Sequence, residues 1–494
     1  MNLKTFRSFL DLLFESNAVN FTQFGKKKAY KTLNSANYAA EIGKVQQWMY
    51  SKKVQAGEHI CTLFENSIEW NVCDEAIMAF GAIHVSLSPA THCEKINAIL
   101  DQCQIKHVIV GNSLIRELLS TKLDAVTLVT YQELLQESEE TIEEQKNKLP
   151  IKGNSLASLF FTSGTTSSTK AVYHSHEAIL GNALETAQFY DFPKNSTALS
   201  ILPIHYAFER MYNYVYQFSG LNIVYANSSK SLIENILTVQ PAVFCIVPNL
   251  LEQLISESNT QLAEFVNYVK VKKPLIVCSG AAIPEKLYDQ IEELGIAIYE
   301  MYGSTETLII AANSKKEHQK RTSGKLVFPN RVNITDSNQL MVNLAKSYYH
   351  PSFSAKENIK NSWFNTKDLV SLDDGFLIIK GRDDETFKSK AGLFQNALEI
   401  ESHFKQSSII QNALIFYDKG LGICGVFGLG KEESPSSLAK LIQSYNNKQE
   451  ESKKISHFTT TDTWSPESGE LTMSYKVKRN FILQKYKNQL IEVN

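Results

Sequence analysis

Leu156-Ala157-Ser158-Leu159-Phe160-Phe161, followed by Thr162-Ser163-Gly164-Thr165-Thr166-Ser167-Ser168-Thr169-Lys170, is the stretch on which the fold turns. The first six residues form a short apolar run and predict a buried strand. Seven of the next nine are Ser or Thr, which predicts a loop closed by the Lys170 ammonium. Hydroxyls, backbone N–H groups and a point charge together suit a polyphosphate. The segment lacks the Gly-Lys-Ser/Thr ending of the best-known phosphate loop, and taken alone it also reads as a polar turn between two strands.

Similar apolar runs recur on both sides of it. Strands are expected at 59–64, 82–87, 107–111, 197–202, 221–226, 242–248, 275–279 and 296–299. Helices are expected at 68–80, 94–100, 176–189, 248–256 and 284–294, and the polar run 136–148 reads as a surface helix. Near-continuous apolar strands alternating with amphipathic helices predict an α/β fold with layered, largely parallel sheets. The character changes near Phe376-Leu377-Ile378-Ile379, which runs into the charged break Lys380-Gly381-Arg382-Asp383-Asp384-Glu385. The lysine-rich remainder predicts a small α+β domain, giving domains at 1–380 and 381–494.

A chain of 494 residues exceeds one typical core, in keeping with two domains. The formal charge of −2 gives no support for nucleic-acid or membrane-surface binding. The 7 cysteines are scattered without a CxxC pair, which fits a reducing compartment rather than a disulfide framework or a zinc cluster. No signal-peptide layout and no run of about 18 apolar residues is present, so a cytoplasmic protein is expected. Phe6, Phe9, Leu10, Leu13 and Phe14 share one helical face; packing on the protein's own core is the expectation, with peripheral membrane contact as the alternative.

Four further segments complement the Ser/Thr loop. In Tyr299-Glu300-Met301-Tyr302-Gly303-Ser304-Thr305-Glu306-Thr307, Tyr302 can stack on a base, Thr305 can donate to a phosphate and Glu306 can hold Mg²⁺. Trp363-Phe364-Asn365-Thr366-Lys367-Asp368 is read as placing a carboxylate after a turn, where it can accept from a ribose diol. Gly381-Arg382-Asp383-Asp384 adds an arginine at the domain break. Gly469-Glu470-Leu471-Thr472-Met473-Ser474-Tyr475-Lys476-Val477-Lys478-Arg479 is a basic stretch leading toward a helix. Singly, each of these residues is more often a surface charge or a core ring; their order and spacing give them weight.

In that order the motifs resemble the adenylate-forming superfamily, and the resemblance covers nearly the whole chain. It is nearest in look to long-chain fatty acyl-CoA synthetases. Leu202-Pro203-Ile204-His205-Tyr206-Ala207-Phe208-Glu209-Arg210 is similar to their LP-x-x-H-x-FER segment, and Ser279-Gly280-Ala281-Ala282-Ile283-Pro284 to their adenine-side turn. The ELT-x-x-x-K-x-x-R ending is present at Glu470–Arg479.

The resemblance implies a large N-terminal domain and a small mobile C-terminal one, and an ATP- and Mg²⁺-dependent ligase. Such an enzyme joins a carboxylic acid, here a fatty acid, to AMP and then passes the acyl group to the thiol of CoA. An acyl carrier protein as acceptor, or a turnover-deficient nucleotide- and acyl-binding homologue, are the alternatives. Carried over by position, Thr162, Ser163, Gly164, Thr165, Thr166 and Lys170 contact phosphates, and Gly280, Ala281 and Ala282 frame adenine with Tyr302. Thr305 meets the α-phosphate, Glu306 the Mg²⁺, and Asp368 the ribose with help from Arg382. Asp384 is the hinge and Lys476 the catalytic lysine. The chain departs from the pattern at Ser167, Thr169, Ala171 and Lys367, in keeping one glycine in Lys388–Phe394, and at Tyr206, which stands at the histidine place with His205 before it.

Overall fold

The computed structural model describes residues 4–16, 19–24, 29–120, 126–137, 150–161, 171–226, 232–256, 259–344, 347–349, 363–383, 386–388, 394–430, 433–465, 467–471 and 477–493. Two sheets build the large N-terminal part. A seven-stranded sheet contains β1 (His59–Leu63), β2 (Ile83–Leu87), β3 (Leu156–Phe161) and β4 (Ala171–Ser175). A thirteen-stranded sheet contains β5 (Thr197–Ser200), β6 (Val243–Ile246), β7 (Leu275–Cys278), β8 (Tyr299–Ser304), β9 (Leu308–Ala312), β10 (Trp363–Asp373) and β11 (Phe376–Arg382). The C-terminal part has a four-stranded sheet that includes β12 (Ile410–Asp418), β13 (Gly422–Leu429) and β14 (Ile455–Asp462). Six helices matter below: α1 (Phe6–Ser16), α2 (Ile68–Phe80), α3 (His176–Tyr190), α4 (Ala207–Phe218), α5 (Ala397–Lys405) and α6 (Arg479–Tyr486).

The α/β class is as expected, with one refinement. β5, β6, β7 and β8 are parallel neighbours, but from β8 onward toward β10 and β11 the large sheet is antiparallel. Parallel pairing puts the carboxyl ends of β5, β6, β7 and β8 on one rim, where the crevice of an open α/β sheet forms. The expected strand 296–299 begins instead at Tyr299 and runs to Ser304, so Tyr302 is a strand residue. Asp368 lies inside β10 and not after a turn, because a register shift at Leu369/Val370 lets the strand continue past it. Of the expected surface helix 136–148, Gln136 ends a short helix that starts at Tyr131, and 138–148 lie outside the described residues.

α1 packs on the protein itself. Phe6, Phe9, Leu10 and Leu13 are buried, with the Phe6 ring 5.3 Å from Tyr214 and the Phe9 ring 4.6 Å from Phe218, both on α4. At about 1.5–3 kcal/mol for each large apolar side chain, this burial commits the face to the core. All seven cysteines are free thiols. Among the described residues no helix is long and apolar enough to cross a membrane.

Beneath α4 lies a buried polar network that composition does not announce. Arg210, 1% exposed, donates to Asp74 on α2, to the Tyr214 hydroxyl at 3.0 Å and to Ser158 Oγ on β3 at 2.8 Å. Its guanidinium lies 4.4 Å from the Phe160 ring centroid. His84 Nδ1 donates to Asp74 at 2.5 Å, and Tyr214 donates to the other carboxylate oxygen. Burial pushes the Asp74 carboxyl up, but Arg210, with His84 and Tyr214, outweighs it and holds the group below its ordinary value.

Two neighbouring carboxyls go the other way. Burial raises Glu75 and Glu209 to about 8 from an ordinary 4.5. Between those values each group holds a proton in the folded protein that the unfolded chain has lost, so its contribution to stability is full at low pH and declines as pH rises toward 8. Histidines held at about 4 by burial, such as His174 and His205, push wild-type stability the other way up to their ordinary 6.5, so the decline is read as a difference. In urea unfolding at pH 5, 6, 7 and 8, Glu209→Gln should have a more positive pH slope than wild type. An unchanged slope in the variant would count against the assignment.

Candidate active site

The site grows from the carboxyl rim of the large sheet. β7 ends at Cys278 and passes through Ser279 into Gly280, whose φ of +93° is a left-handed conformation. A Cβ there would lie 3.3 Å from Val247 Cγ1, so glycine serves both the turn and a close approach to the segment after β6. Ala281 and Ala282 are exposed beside it. One strand over, Tyr302 on β8 donates its hydroxyl to Asp368 Oδ2 on β10, while Arg382 Nη1 on β11 donates to Asp368 Oδ1 at 3.2 Å. Burial, reinforced by Asp368, keeps the Tyr302 hydroxyl protonated. Three residues quoted from separate segments thus meet at one carboxylate.

That carboxylate is aimed by strained backbone. Lys367, which stands where the resemblance implies glycine, has φ +64° and donates its N–H to Asn365 Oδ1 at 2.8 Å. A left-handed residue with a side chain costs roughly 1–2 kcal/mol, which gives the physical reason for glycine at this place. Thr366 Oγ1 accepts from the Asp368 N–H at 3.1 Å and completes the hold.

Thr305 and Glu306 lie in the turn between β8 and β9. Ser304 Oγ accepts from the N–H of Glu306 and of Thr307, each at 3.2 Å. Gly303 is required because a Cβ would come within 2.2 Å of the Leu308 carbonyl oxygen, and Leu308 is itself left-handed at φ +59°. Strain of this kind gathers where geometry has to be fixed. The turn is tied to the other sheet by His174 on β4, whose Nε2 donates to the Thr305 carbonyl at 2.8 Å. Asn182 on α3 adds two bonds, donating to Ile309 O at 2.8 Å and accepting from Ile309 N at 3.2 Å.

Of the expected site residues, Tyr302, Asp368 and Arg382 meet directly. Gly280, Ala281, Ala282, Thr305 and Glu306 lie on the same rim or in the turn that leaves it. Thr162, Ser163, Gly164, Thr165, Thr166, Lys170, Asp384 and Lys476 lie outside the described residues. What flanks them is described: β3 ends at Phe161 and β4 starts at Ala171. Leu471 and Val477 form an antiparallel bridge on either side of 472–476. Glu470 accepts from Lys485 Nζ and the Tyr486 hydroxyl, both at 2.7 Å, and Arg479 donates to Glu401 on α5 at 2.7 Å. The conspicuous Glu and Arg of the C-terminal motif therefore anchor the residues that flank 472–476.

His205 and Tyr206 follow β5 on the same rim at the start of α4, rings 4.4 Å apart, and burial lowers His205 to about 4. Sequence reasoning assigned no role to His174, Asn182, Ser304, Asp74 or Arg210. Arg210 was visible as the last residue of the FER segment, while His174 carried only its nearness to Lys170.

A nucleotide fits these groups. Asp368 has its oxygens oriented by Tyr302 and Arg382, and a carboxylate so held is of the type that accepts from a diol. Magnesium keeps several waters and takes one or two protein carboxylates plus phosphate oxygens, a demand that Glu306 can meet.

Known proteins share the sequence pattern and the fold of this chain. A 2-succinylbenzoate–CoA ligase of Geobacillus sp. is 23% identical over 347 residues, covering 67% of this chain and 68% of its own. A long-chain-fatty-acid–CoA ligase of Mycobacterium bovis is 21% identical, covering 92% and 91%. The solved O-succinylbenzoate coenzyme A synthetase of Bacillus subtilis, in complex with ATP and magnesium ion, superposes with a TM-score of 0.77 at 19% identity, over 96% of this chain and 98% of that one. The AMP-binding enzyme profile matches residues 15–343, two thirds of the sequence, and the chain belongs to the AMP-binding enzyme family.

Proposed function

We propose that this enzyme is an acid–thiol ligase that activates a fatty acid with ATP and transfers the acyl group to CoA. The observation that carries the reading is the convergence of Tyr302 and Arg382 on Asp368, beside a Thr305–Glu306 turn tethered to the strand that leaves the Ser/Thr segment. In the first step a carboxylate oxygen attacks the α-phosphorus and pyrophosphate leaves; in the second the CoA sulfur attacks the acyl carbonyl carbon and AMP leaves. Thr162, Ser163, Gly164, Thr165, Thr166 and Lys170 would hold phosphates. Gly280, Ala281 and Ala282 with Tyr302 would frame adenine, and Asp368 with Arg382 would hold the ribose. Thr305 would position the α-phosphate, and Lys476 would neutralise the charge between carboxylate and phosphate. Magnesium, held by Glu306, supplies further neutralisation of phosphate charge. The fatty-acid assignment rests on the LP-x-x-H-x-FER segment and on the likeness to the mycobacterial relative.

The division at 380/381, close to the end of β11, belongs to the same proposal, with Asp384 as the pivot that exchanges the two half-reactions. A cytoplasmic location fits seven free thiols.

Pyrophosphate release with ATP and a panel of fatty and aryl acids tests the reading, with CoA or an acyl carrier protein added in turn. Release with a fatty acid and formation of its CoA thioester is the expected result. No release with any acid would sink the ligase assignment, and a thioester formed only on the carrier protein would replace CoA as acceptor.

A further inference from the structure

We propose that His174 is a positioning residue that sets the Thr305–Glu306 peptide against the strand leaving the Ser/Thr segment. The inference rests on the function proposed above. The two elements assigned to the phosphates belong to different sheets, β3 and β4 to one and β8 and β9 to the other. Their separation is therefore a matter of packing, and a bond across the seam at the reacting end has a large effect on geometry.

His174 makes that bond. It lies on β4 four residues after Lys170, is fully buried, and donates from Nε2 to the Thr305 carbonyl at 2.8 Å. A peptide unit is planar, so its carbonyl and the following N–H move together. The carbonyl of the 305–306 peptide is held by His174, and its N–H is held by Ser304 Oγ at 3.2 Å. With both ends fixed, the plane is set, and with it the directions in which Thr305 and Glu306 leave the backbone.

The imidazole is itself supported. The Phe160 ring of β3 lies 4.9 Å away edge-on, and Arg210 lies on Phe160 within the buried network. Burial lowers the His174 pKa to about 4, so the ring is neutral and adds no charge of its own beside the phosphates. Asn182 fixes both backbone groups of Ile309, just beyond left-handed Leu308, which keeps the turn from relaxing at its other end.

The test compares wild type with His174→Leu and His174→Gln, the latter keeping an N–H near the Nε2 position. Each folded protein is titrated with MgATP by calorimetry, and KM and kcat are measured separately for ATP and for the acid. His174→Leu should lower kcat/KM for ATP at least tenfold while the KM of the acid stays within twofold, and His174→Gln should restore most of the loss. Equal ATP parameters in His174→Leu and wild type overturn the proposal, as does an equal rise in the KM of both substrates, which marks general loosening. If His174→Leu does not fold, Ser304→Ala releases the same peptide from its other end, and unchanged ATP parameters there overturn it too. A wild-type protein that neither binds MgATP nor releases pyrophosphate refutes the ligase reading itself, and this inference with it.

Discussion

Lys476→Ala should lower the rate of pyrophosphate release by about 10²- to 10³-fold, the range measured when one charge-stabilising donor is removed from a transition state. Folding should be unaffected. Around this position the C-terminal part is held by the Leu471–Val477 bridge. It is braced by Glu470 on Lys485 and Tyr486, and by Arg479 on Glu401 and the Ile415 carbonyl. These contacts belong to residues on either side of 472–476 and are kept in the variant, so its melting temperature should match wild type. The decisive measurement is single-turnover pyrophosphate release at saturating ATP and acid. A loss smaller than tenfold would remove Lys476 from the chemistry. A large loss accompanied by a lower melting temperature would assign the effect to folding instead.

The second large effect concerns stability. Arg210→Met leaves Asp74 buried with its principal counter-charge gone, and breaking a buried pair from one side costs about 3–5 kcal/mol. His84 and Tyr214 still donate to Asp74, which places the expected loss toward the lower end of that range. Adding Asp74→Asn to Arg210→Met should recover part of it, because the orphaned charge is removed as well. Urea unfolding of wild type, both single variants and the double variant completes the cycle. Single variants that each lose less than about 1 kcal/mol would show that the network carries little of the stability.

Much of this architecture was legible in the order of residues. The helix 68–80 has its predicted limits because Ser67 caps its start and Gly81, left-handed at φ +104°, ends it. The parallel strands stood out because burial on both faces makes them continuously apolar. Tyr302, Asp368 and Arg382 stood out in segments that each carried a recognisable pattern, though the bond between Tyr302 and Asp368 was not expected.

What escaped notice did so for physical reasons. α4 was not expected as a helix; its polar stripe, Glu209, Arg210, Asn213 and Gln217, is buried and not turned to solvent as on a surface helix. Its Glu209 and Arg210 were visible only as the end of the FER segment; the partner of the guanidinium, Asp74, stands 136 positions away in sequence. Asp368 was expected after a turn; the backbone at Lys367 does take a left-handed conformation, but inside a strand. His174 has no local signature at all, because its partner is a backbone carbonyl 131 residues away.

The seam between the two sheets carries a thermodynamic consequence. A nucleotide whose phosphates touch elements of both sheets is a non-covalent cross-link between halves of one core. Its binding free energy adds to the native state alone and grows with the logarithm of its concentration. On the proposed function, the contacts that would align the reacting atoms would also resist separation of the sheets, making occupancy of the site and cohesion of the large domain one linked equilibrium.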